Sequence, residues 1–593
     1  MSISVIMVSY HTGPVLYASV ASVLMQGGLS QLVLVDNGNP PDVLSRLQQM
    51  ALSDARLKII SGHGNIGFAA GCNLGARDAN SEYLLLLNPD CILPPAALTT
   101  LVREMNTLPN TALAGVYLVN PDGSEQRGGR RSLLTPSSAL ANMLGLKKLN
   151  RNRTPMPSET HDVPAISGAC MCIRKADYDA LGGLDEKFFL HVEDLDLCMR
   201  VAKAGRRIVC VPSVKIAHLL STSGHVRSNR IEKFKARGFI YYFEKHFAES
   251  LWPGVLPLLR ASIWARYYMR KWFPPRKAGN IAASRKLMVL AESLASAHNP
   301  NALTGKTVLV LGATSQIGVY VVRHLLSSGA AVLAVSREES LPFSHPNLLW
   351  LKQDITRADF SLGGYLADVV ICCAPQWHLS KIIPTLAACE VKRVVAIGST
   401  SIFSKAASHN KFEKVLVAKH TRAEQEIANV AEGQNIAWTI LRSTMIYGLG
   451  LDKNVSSLMH FIRRFGFAVI YPPAVGRRQP VHAEDVAVAA LQAASSEAAC
   501  NKSYNVSGGE ILAYRDMLLR IFEVMKCPPK IIATTLFPLM LAIAGVVLRR
   551  QYLTRDLAYR MNEDMVFFHD DAARDFGYHP RAFLSGGTED LGE

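Results

Sequence analysis

The stretch YLLLLNPDCILPP, Tyr83 to Pro95, decides how the first half of the chain is read. Four consecutive leucines, Leu84 to Leu87, predict a strand buried on both faces, which is the signature of a parallel sheet covered by helices. Asn88, Pro89 and Asp90 then stop that strand abruptly. In a parallel α/β sheet, ligands gather beyond the C-terminal ends of the strands, so a carboxylate there has a functional position.

The surroundings repeat the rhythm. ISVIMVSY reads as an apolar strand, YASVASVLMQ as a helix, and QLVLVDNG as a strand ending in a turn at Asp36. Residues 1 to about 250 therefore form one α/β domain, with Asp36 and Asp90 at strand ends. The opening MSISVIMVSYH has no basic stretch and is polar again by Ser9, so it reads as a first strand and not as a signal peptide.

A second rhythm starts at Lys306. TVLVLGATSQIGVYVVRHLLSSGAAVLAVSR is strand, Gly-containing turn, helix, Gly and strand, the opening of a Rossmann-type domain over 305–593. Between the two, residues 251–304 hold a basic aromatic segment and a linker with one helix. From Val226 to Lys286 there are fourteen Lys/Arg and three Glu, with Trp252, Trp264 and Trp272 among them. Interleaved basic and aromatic side chains suit an anionic membrane surface. No RNA or DNA motif accompanies the charge, so nucleic acid is not expected as a partner.

The 593 residues are 49% hydrophobic and 19% charged, a globular composition with a net charge of +16. The eleven cysteines make no CxxC pair, which argues against structural zinc and disulfides and fits a reducing, cytoplasmic setting.

VLVDNG, GNIGFAAGCNLGA, LLLLNPD and FFLHVEDLDLCMRVAKAG, in this order, resemble family 2 glycosyltransferases of the rhamnosyltransferase-like branch. The resemblance implies a GT-A-type fold, inverting transfer from a nucleotide sugar, and a glycan or lipid-linked acceptor in bacterial surface polysaccharide assembly. A departing diphosphate needs its charge neutralised, and Mg²⁺ or Mn²⁺ held by one or two carboxylates does so. The resemblance points to Asp90 and His218 as metal ligands, with Asn88 a hydrogen-bonding partner of the donor. Ser9, Tyr10 and Asp36 fall beside the base. The glycines of GNIGFAAGCNLG are expected to let backbone approach a ligand, with Asn73 nearby. Glu193, Asp194 and Asp196 crowd within four positions, which suits proton abstraction. The family pattern favours Asp194 as the base, with Glu193 second; Asp196 and Arg200 read as a structural helix pair.

In the second half, GATSQIG, WLKQDI, VVICCAP, VVAIGSTS, ILRSTMIYGLG and RRQPVHAEDVA resemble extended short-chain dehydrogenase/reductases of the epimerase/dehydratase-like branch. Gly312, Ser315 and Gly318 fall in the cofactor turn, with Asp354 in the next motif. Arg337 stands where NAD-preferring proteins place an acid, so NADP is expected over NAD. Catalytic members place Tyr four residues before Lys. Here the Lys is Lys419 and the earlier position is Val415, with no tyrosine between Tyr365 and Tyr447. Ser399 or Ser401 keeps the serine position, and Lys419 keeps a role on the nicotinamide ribose. Standard hydride chemistry is therefore not expected.

The combined expectation is a two-domain α/β enzyme, peripheral on the inner face of the cell membrane. The rivals are a bifunctional glycosyltransferase plus nucleotide-sugar epimerase or reductase, and a non-catalytic nucleotide-binding scaffold. The apolar run Ile531–Leu548 is expected as a buried lid helix or a shallow membrane contact.

Overall fold

In a computed structural model of the protein, Leu84 to Leu87 lie in the middle of a sheet, and alternate leucines serve opposite faces. The structure describes residues 2–13, 15–120, 123–126, 128–136, 138, 157–218, 228–252, 254–272, 281–295, 299–337, 341–357, 359–406, 410–452, 454–547 and 555–591. Pro274, Pro275, Arg276 and Lys277 of the basic segment lie outside them. The chain divides into two units, residues 1–295 with 341–346, and residues 296–340 with 347–593.

The first unit begins β1 (Ile3–Ser9), α1 (Val15–Leu24), β2 (Leu29–Asp36), α2 (Pro41–Ser53), β3 (Leu57–Ile60), α3 (Phe68–Arg77), β4 (Tyr83–Leu87), β5 (Cys91–Ile92), α4 (Ala97–Thr107) and β6 (Thr111–Val119). Short strands β7 (Arg130–Arg131), β8 (His161–Asp162) and β9 (Ala165–Ile166) precede β10 (Cys170–Arg174), α5 (Glu193–Lys203) and β11 (Arg207–His218). The sheet order is β3-β2-β1-β4-β10-β6-β11-β5, with β8 beside β11. The strands from β3 to β4 are parallel, and β10 enters antiparallel between β4 and β6.

Period-two alternation divides the core. Val5, Met7, Leu85 and Leu87 pack with α1 and α4 on one face, while Ile6, Val8, Leu84 and Leu86 pack with α3 and α5 on the other. Each fully buried leucine contributes about 1.5–3 kcal/mol. Gly71 and Gly75 of α3 rest on this second face, where an added Cβ would stand 2.9 Å from Val8 and 2.7 Å from Ile6. These glycines let helix meet sheet, and not backbone meet ligand. For Gly71 and Gly75 that corrects the reading of GNIGFAAGCNLG, because i,i+4 glycines serve either purpose equally well in sequence.

The register sets the site. Ser9 pairs with Asp36, Met7 with Leu87, and Cys91 with His218. Ser9, Asp36, the Asn88–Asp90 turn and His218 thus lie along one edge of the sheet.

Beyond the sheet follow α6 (Ser228–Phe247), α7 (Val255–Trp272) and α8 (Ile281–Ala295). The basic aromatic segment splits its faces: Leu259 and Ile263 pack inward, while Trp252 is 83% exposed, and Leu258, Tyr268 and Met269 are exposed with it. The helix expected inside the linker, α8, packs on α1.

The second unit contains β12 (Thr307–Leu311), α9 (Gly318–Ser327), β13 (Ala331–Ser336), β14 (Leu348–Lys352), β15 (Val369–Cys372), α10 (Leu379–Ala387), β16 (Arg393–Ser399), α11 (Lys411–Gly433), β17 (Ala437–Ser443), α12 (Ala483–Ser495) and β18 (Lys502–Val506). These seven strands form one parallel sheet in the order β14-β13-β12-β15-β16-β17-β18. The order reverses between β12 and β15, the switch point at which doubly wound sheets open a ligand crevice. No helix of the described residues is long and apolar enough to cross a membrane. The run at Ile531–Leu548 is a strand, Ile531–Ala533, and an eleven-residue helix, Phe537–Val547, whose outward side chains are exposed. That overturns the expectation of a buried lid.

Candidate functional site

Asp36 ends β2 and is 5% exposed. Its Oδ1 accepts from the amides of Gly38 (3.2 Å) and Asn39 (2.9 Å) and from Asn39 Nδ2 (2.6 Å). Asn39 Nδ2 also donates to Ser9 Oγ at 3.0 Å, so Ser9 and Asp36 are tied into one turn. Tyr10 stands at the mouth of that turn, its ring edge-on to His11. Asn37, which sequence reasoning passed over, donates to the Gly67 carbonyl while its Oδ1 is buried with no hydrogen-bond partner among the described residues. An orphaned acceptor beside Asp36 suits a ligand N–H.

At the end of β4, Asp90 Oδ1 lies 3.1 Å from His218 Nε2, and Asn88 Nδ2 lies 3.3 Å from the same nitrogen. Gln126 clasps the imidazole from behind: its Oε1 is 2.8 Å from His218 Nδ1, and its Nε2 donates to the His218 carbonyl at 3.2 Å. Burial alone would lower the His218 imidazole, but the Asp90 carboxylate and the hydrogen bond to it outweigh that and raise it. Donor atoms of Asp90, Cys91 and His218 all lie within 4.8 Å of one another. The Cys91 thiol is fully buried, which pushes it far above its ordinary value, and it donates to the Ala169 carbonyl. The residues that could hold a hard divalent cation here are Asp90 and His218. Gln126 is the outer partner that fixes which imidazole nitrogen faces it.

The turn Ser167–Ala169 joins this corner to the acidic cluster. Ala169 accepts from the Asn88 amide at 2.8 Å, and the Gly168 amide donates to Asp194 Oδ2 at 2.9 Å. Asp194 sits in the first turn of α5, where its Oδ1 accepts from the Leu195 amide, and Arg131 of β7 forms an ion pair with Oδ2. Glu193, one residue earlier, is in the opposite situation. It is 5% exposed, and its Oε2 has no hydrogen-bond partner among the described residues. Burial, reinforced by the Asp194 charge, pushes it up to about 8.

His191 and Val192, just before this pair, both have positive φ, 67° and 78°. A β-branched residue rarely holds that conformation, so local strain aims the acidic turn. Asp196 points away from the turn: Arg200, His246 and Lys245 surround it. Burial would raise its carboxyl, but the hydrogen bond from His246 and the charges of Arg200 and Lys245 hold it at about 2. It is a structural anchor, as its spacing from Arg200 implies.

Asn73 does not join the site. Its Oδ1 accepts from Tyr178 Oη (2.6 Å) and the Leu184 amide (2.9 Å), while its Nδ2 donates to the Leu184 carbonyl (2.8 Å) and Glu186 (2.9 Å). All four hydrogen-bonding valences are taken, so Asn73 fastens α3 to the 178–186 loop and has none left for a ligand. This corrects the expectation of a donor contact.

In the second unit, Gly312 has φ +74°, and an added Cβ would stand 2.9 Å from the Ala374 amide. At Gly318 a Cβ would meet the Gly312 carbonyl at 2.3 Å. The turn thus requires glycine at both positions and leaves bare backbone at the start of α9, a cradle that fits a pyrophosphate. Ser315 Oγ accepts from the Gly318 amide at 3.0 Å, capping that helix. Arg337, beyond β13, is exposed, and Asp354, beyond β14, is half-buried. Ser399 Oγ donates to Ser401 Oγ at 2.9 Å at the end of β16. On α11, Val415 is 54% exposed where a tyrosine would stand, and Lys419 Nζ lies 5.9 Å from the Trp377 ring centre.

The family model described as glycosyl transferase family 2 matches residues 4–217, and that described as NAD(P)H-binding matches residues 312–454. An N-acetylglucosaminyl-diphospho-decaprenol L-rhamnosyltransferase of Mycobacterium tuberculosis is 26% identical over 286 residues, covering 45% of this chain and 91% of the relative. The rhamnosyltransferase WbbL of Escherichia coli is 28% identical over 181 residues, 29% of this chain and 67% of that one. Among solved structures, an epimerase of Methanothermobacter thermautotrophicus is 16% identical with a TM-score of 0.40, covering 51% of this chain and 94% of that one, a likeness too low to carry an argument. The chain therefore carries a family 2 glycosyl transferase domain followed by an NAD(P)H-binding domain.

Proposed function

We propose that residues 1–250 transfer rhamnose or a similar sugar, with inversion, from a nucleotide sugar to a glycan or lipid-linked acceptor in bacterial surface polysaccharide assembly. The observation that carries this reading is the single edge formed by Ser9 with Asp36, Asp90 with His218, and Asp194, bridged by the Ser167–Ala169 turn. Ser9, Tyr10 and Asp36 hold the base, with Asn37 Oδ1 as a further acceptor, and Asn88 steadies the donor. Asp90 and His218 are the residues that would hold Mg²⁺ or Mn²⁺. Bound there, the cation supplies neutralising charge for the departing diphosphate.

Asp194 takes the proton from the acceptor hydroxyl. The acceptor oxygen then forms a bond to the anomeric carbon as the bond from that carbon to the diphosphate breaks, and its electron pair leaves with the diphosphate. The environments of the two adjacent acids support this division of roles. Asp194 is held in an ion pair with Arg131, whereas Glu193 Oε2 has no hydrogen-bond partner among the described residues and burial pushes its carboxyl up to about 8.

Residues 305–593 bind NADP in preference to NAD through the Gly312–Gly318 turn and Arg337, with Ser315, Asp354 and Lys419 lining the cofactor. They do not turn it over, because Val415 cannot relay a proton. The basic aromatic face of Leu251–Trp272 seats the enzyme on the anionic inner face of the cell membrane.

The test is incubation of the full chain with a panel of nucleotide sugars, with and without Mg²⁺ or Mn²⁺, and detection of released nucleoside diphosphate. Release from one donor class only, dependent on the cation, is the expected result. No release from any donor with any acceptor would leave the scaffold reading.

A further inference from the structure

Helix Phe537–Val547 reads FPLMLAIAGVV and carries no polar side chain. A helix apolar on every side belongs in a core or in lipid. Here one side is fastened, since Phe537 packs against the cluster that contains Met459 and Ile462. The other side faces outward: Leu539 is 48% exposed, Met540 50%, Ile543 56%, and Leu536, just before the helix, 62%. These four occupy i, i+3, i+4 and i+7, a single helical stripe.

A second apolar surface is tied to it. Strand Ile531–Ala533 feeds this helix and pairs in parallel with Ala468–Ile470, Ile470 facing Ala533. That partner strand follows helix Val455–Phe465, whose exposed Phe461 and Phe465 rings lie 4.7 Å apart. Ile532, on the joining strand, is exposed as well. One strand pair therefore connects both sets of exposed apolar side chains.

Charge identifies the occupant. Residues 524–555 contain Lys526, Lys530, Arg549, Arg550 and Arg555 and no Asp or Glu. Protein interfaces are depleted in lysine, whereas an anionic lipid surface attracts each nearby basic residue, roughly fivefold in affinity apiece. Length fixes the depth. Eleven residues rise about 16 Å, about half of a hydrocarbon core of roughly 30 Å.

We propose that this surface is a monotopic membrane seat of the NAD(P)H-binding unit, its apolar stripe inserted into one leaflet of an anionic bilayer with Lys526, Lys530 and Arg555 at the headgroups. It lies in a different unit from the Leu251–Trp272 segment and does not depend on the glycosyl-transfer reading.

The experiment uses the full chain carrying Ile543→Trp, bound to phosphatidylcholine/phosphatidylglycerol vesicles whose acyl chains bear bromine at defined depths. The unsubstituted protein in the same vesicles supplies the background. The added fluorescence is expected to shift to the blue and to be quenched by bromine in the acyl chain. Vesicle-bound protein whose added tryptophan stays unquenched overturns the proposal. A second variant, Leu539→Glu with Ile543→Glu, changes only exposed positions and is expected to keep its melting temperature while losing about tenfold or more in vesicle affinity. If instead that variant lowers the sedimenting mass and leaves vesicle affinity unchanged, the stripe is a contact between two copies of the chain, and the proposal falls.

Discussion

The Gly168 amide donates to Asp194 Oδ2 at 2.9 Å, and a methyl group at Gly168 would stand 3.1 Å from Asp194 Cβ and 3.5 Å from Oδ2. The backbone is thus pressed against the side chain it orients, and that contact is what aligns the acid with the Asn88–Asp90 corner. Gly168→Ala is expected to displace the carboxylate without unfolding the chain. A misplacement of about 1 Å can cost about a hundredfold in turnover, and the few tenths of an ångström forced here are expected to cost a smaller but measurable part of that. Steady-state kinetics should show the loss in kcat with the donor KM unchanged, and the melting temperature should move little. Unaltered kcat would remove Gly168 from the positioning role.

Asp194→Asn and Glu193→Gln should behave oppositely. The first removes the base and should lower transfer by about a hundred- to ten-thousandfold while donor binding persists. The second should leave transfer largely intact and change the pH dependence of stability. A carboxyl raised in the folded chain keeps its proton where the unfolded chain has already lost it. Between its ordinary value of 4.5 and about 8, the folded state therefore holds more protons, and the contribution of Glu193 to stability falls as pH rises. The slope approaches at most about 1.4 kcal/mol per pH unit. Melting curves should thus show Glu193→Gln gaining on the unsubstituted protein from pH 5 to pH 8, with no such trend below pH 4.5. If Glu193→Gln is the inactive variant and Asp194→Asn is normal, the roles are reversed.

At the other corner, Gln126 gives the metal assignment a handle that does not rely on activity. Gln126→Ala removes the acceptor at His218 Nδ1 while leaving Asp90 and His218 in place. Loss of such an outer partner typically weakens metal affinity about ten- to a hundredfold. Calorimetric titration with Mn²⁺ should show that intermediate loss, and Asp90→Ala should show none of the binding left. Chelation of the unsubstituted protein should abolish donor use and be reversed by added Mn²⁺. Equal Mn²⁺ affinity in all three proteins would dismiss the site.

Much of this was legible in the sequence, for specific reasons. Leu84–Leu87 announced a two-faced strand, and a carboxylate three residues past its end had to sit on the ligand edge. Asp36, at the end of β2, followed by the same argument. Arg131 and Gln126 were not legible, because each partner is remote in sequence: 63 residues separate Arg131 from Asp194, and 92 separate Gln126 from His218. The doublet Arg130–Arg131 after two glycines was the one available signal. Asn73 and the α3 glycines misled because a residue near a ligand motif and a residue packing that motif's helix look alike until neighbours are known. The exposure of helix Phe537–Val547 was hidden for the same reason, since an apolar run does not say which elements cover it.

The cofactor unit offers the last prediction. Gly312 and Gly318 keep the backbone bare at the start of α9, and a pyrophosphate is recognised there by amides that no side-chain loss elsewhere disturbs. Arg337 is exposed beyond β13, free of burial and available to a 2′-phosphate. Calorimetry on the full chain should therefore show NADPH binding tighter than NADH, and Arg337→Asp should reverse that order. Gly312→Ala should abolish both, since its methyl would stand 2.9 Å from the Ala374 amide at a φ that disfavours alanine. Turnover is a separate matter: Val415 stands exposed where the relay phenol belongs, so the nicotinamide absorbance should stay flat with any nucleotide sugar. Val415→Tyr places a phenol one helical turn from Lys419, whose charge lowers a neighbouring phenol's pKa and restores a proton path. Slow turnover in that variant, with none in the unsubstituted chain, is the expected pair of results. Turnover in the unsubstituted chain would establish that the bifunctional reading is the right one, and Ser399 and Ser401 would be the groups to replace next.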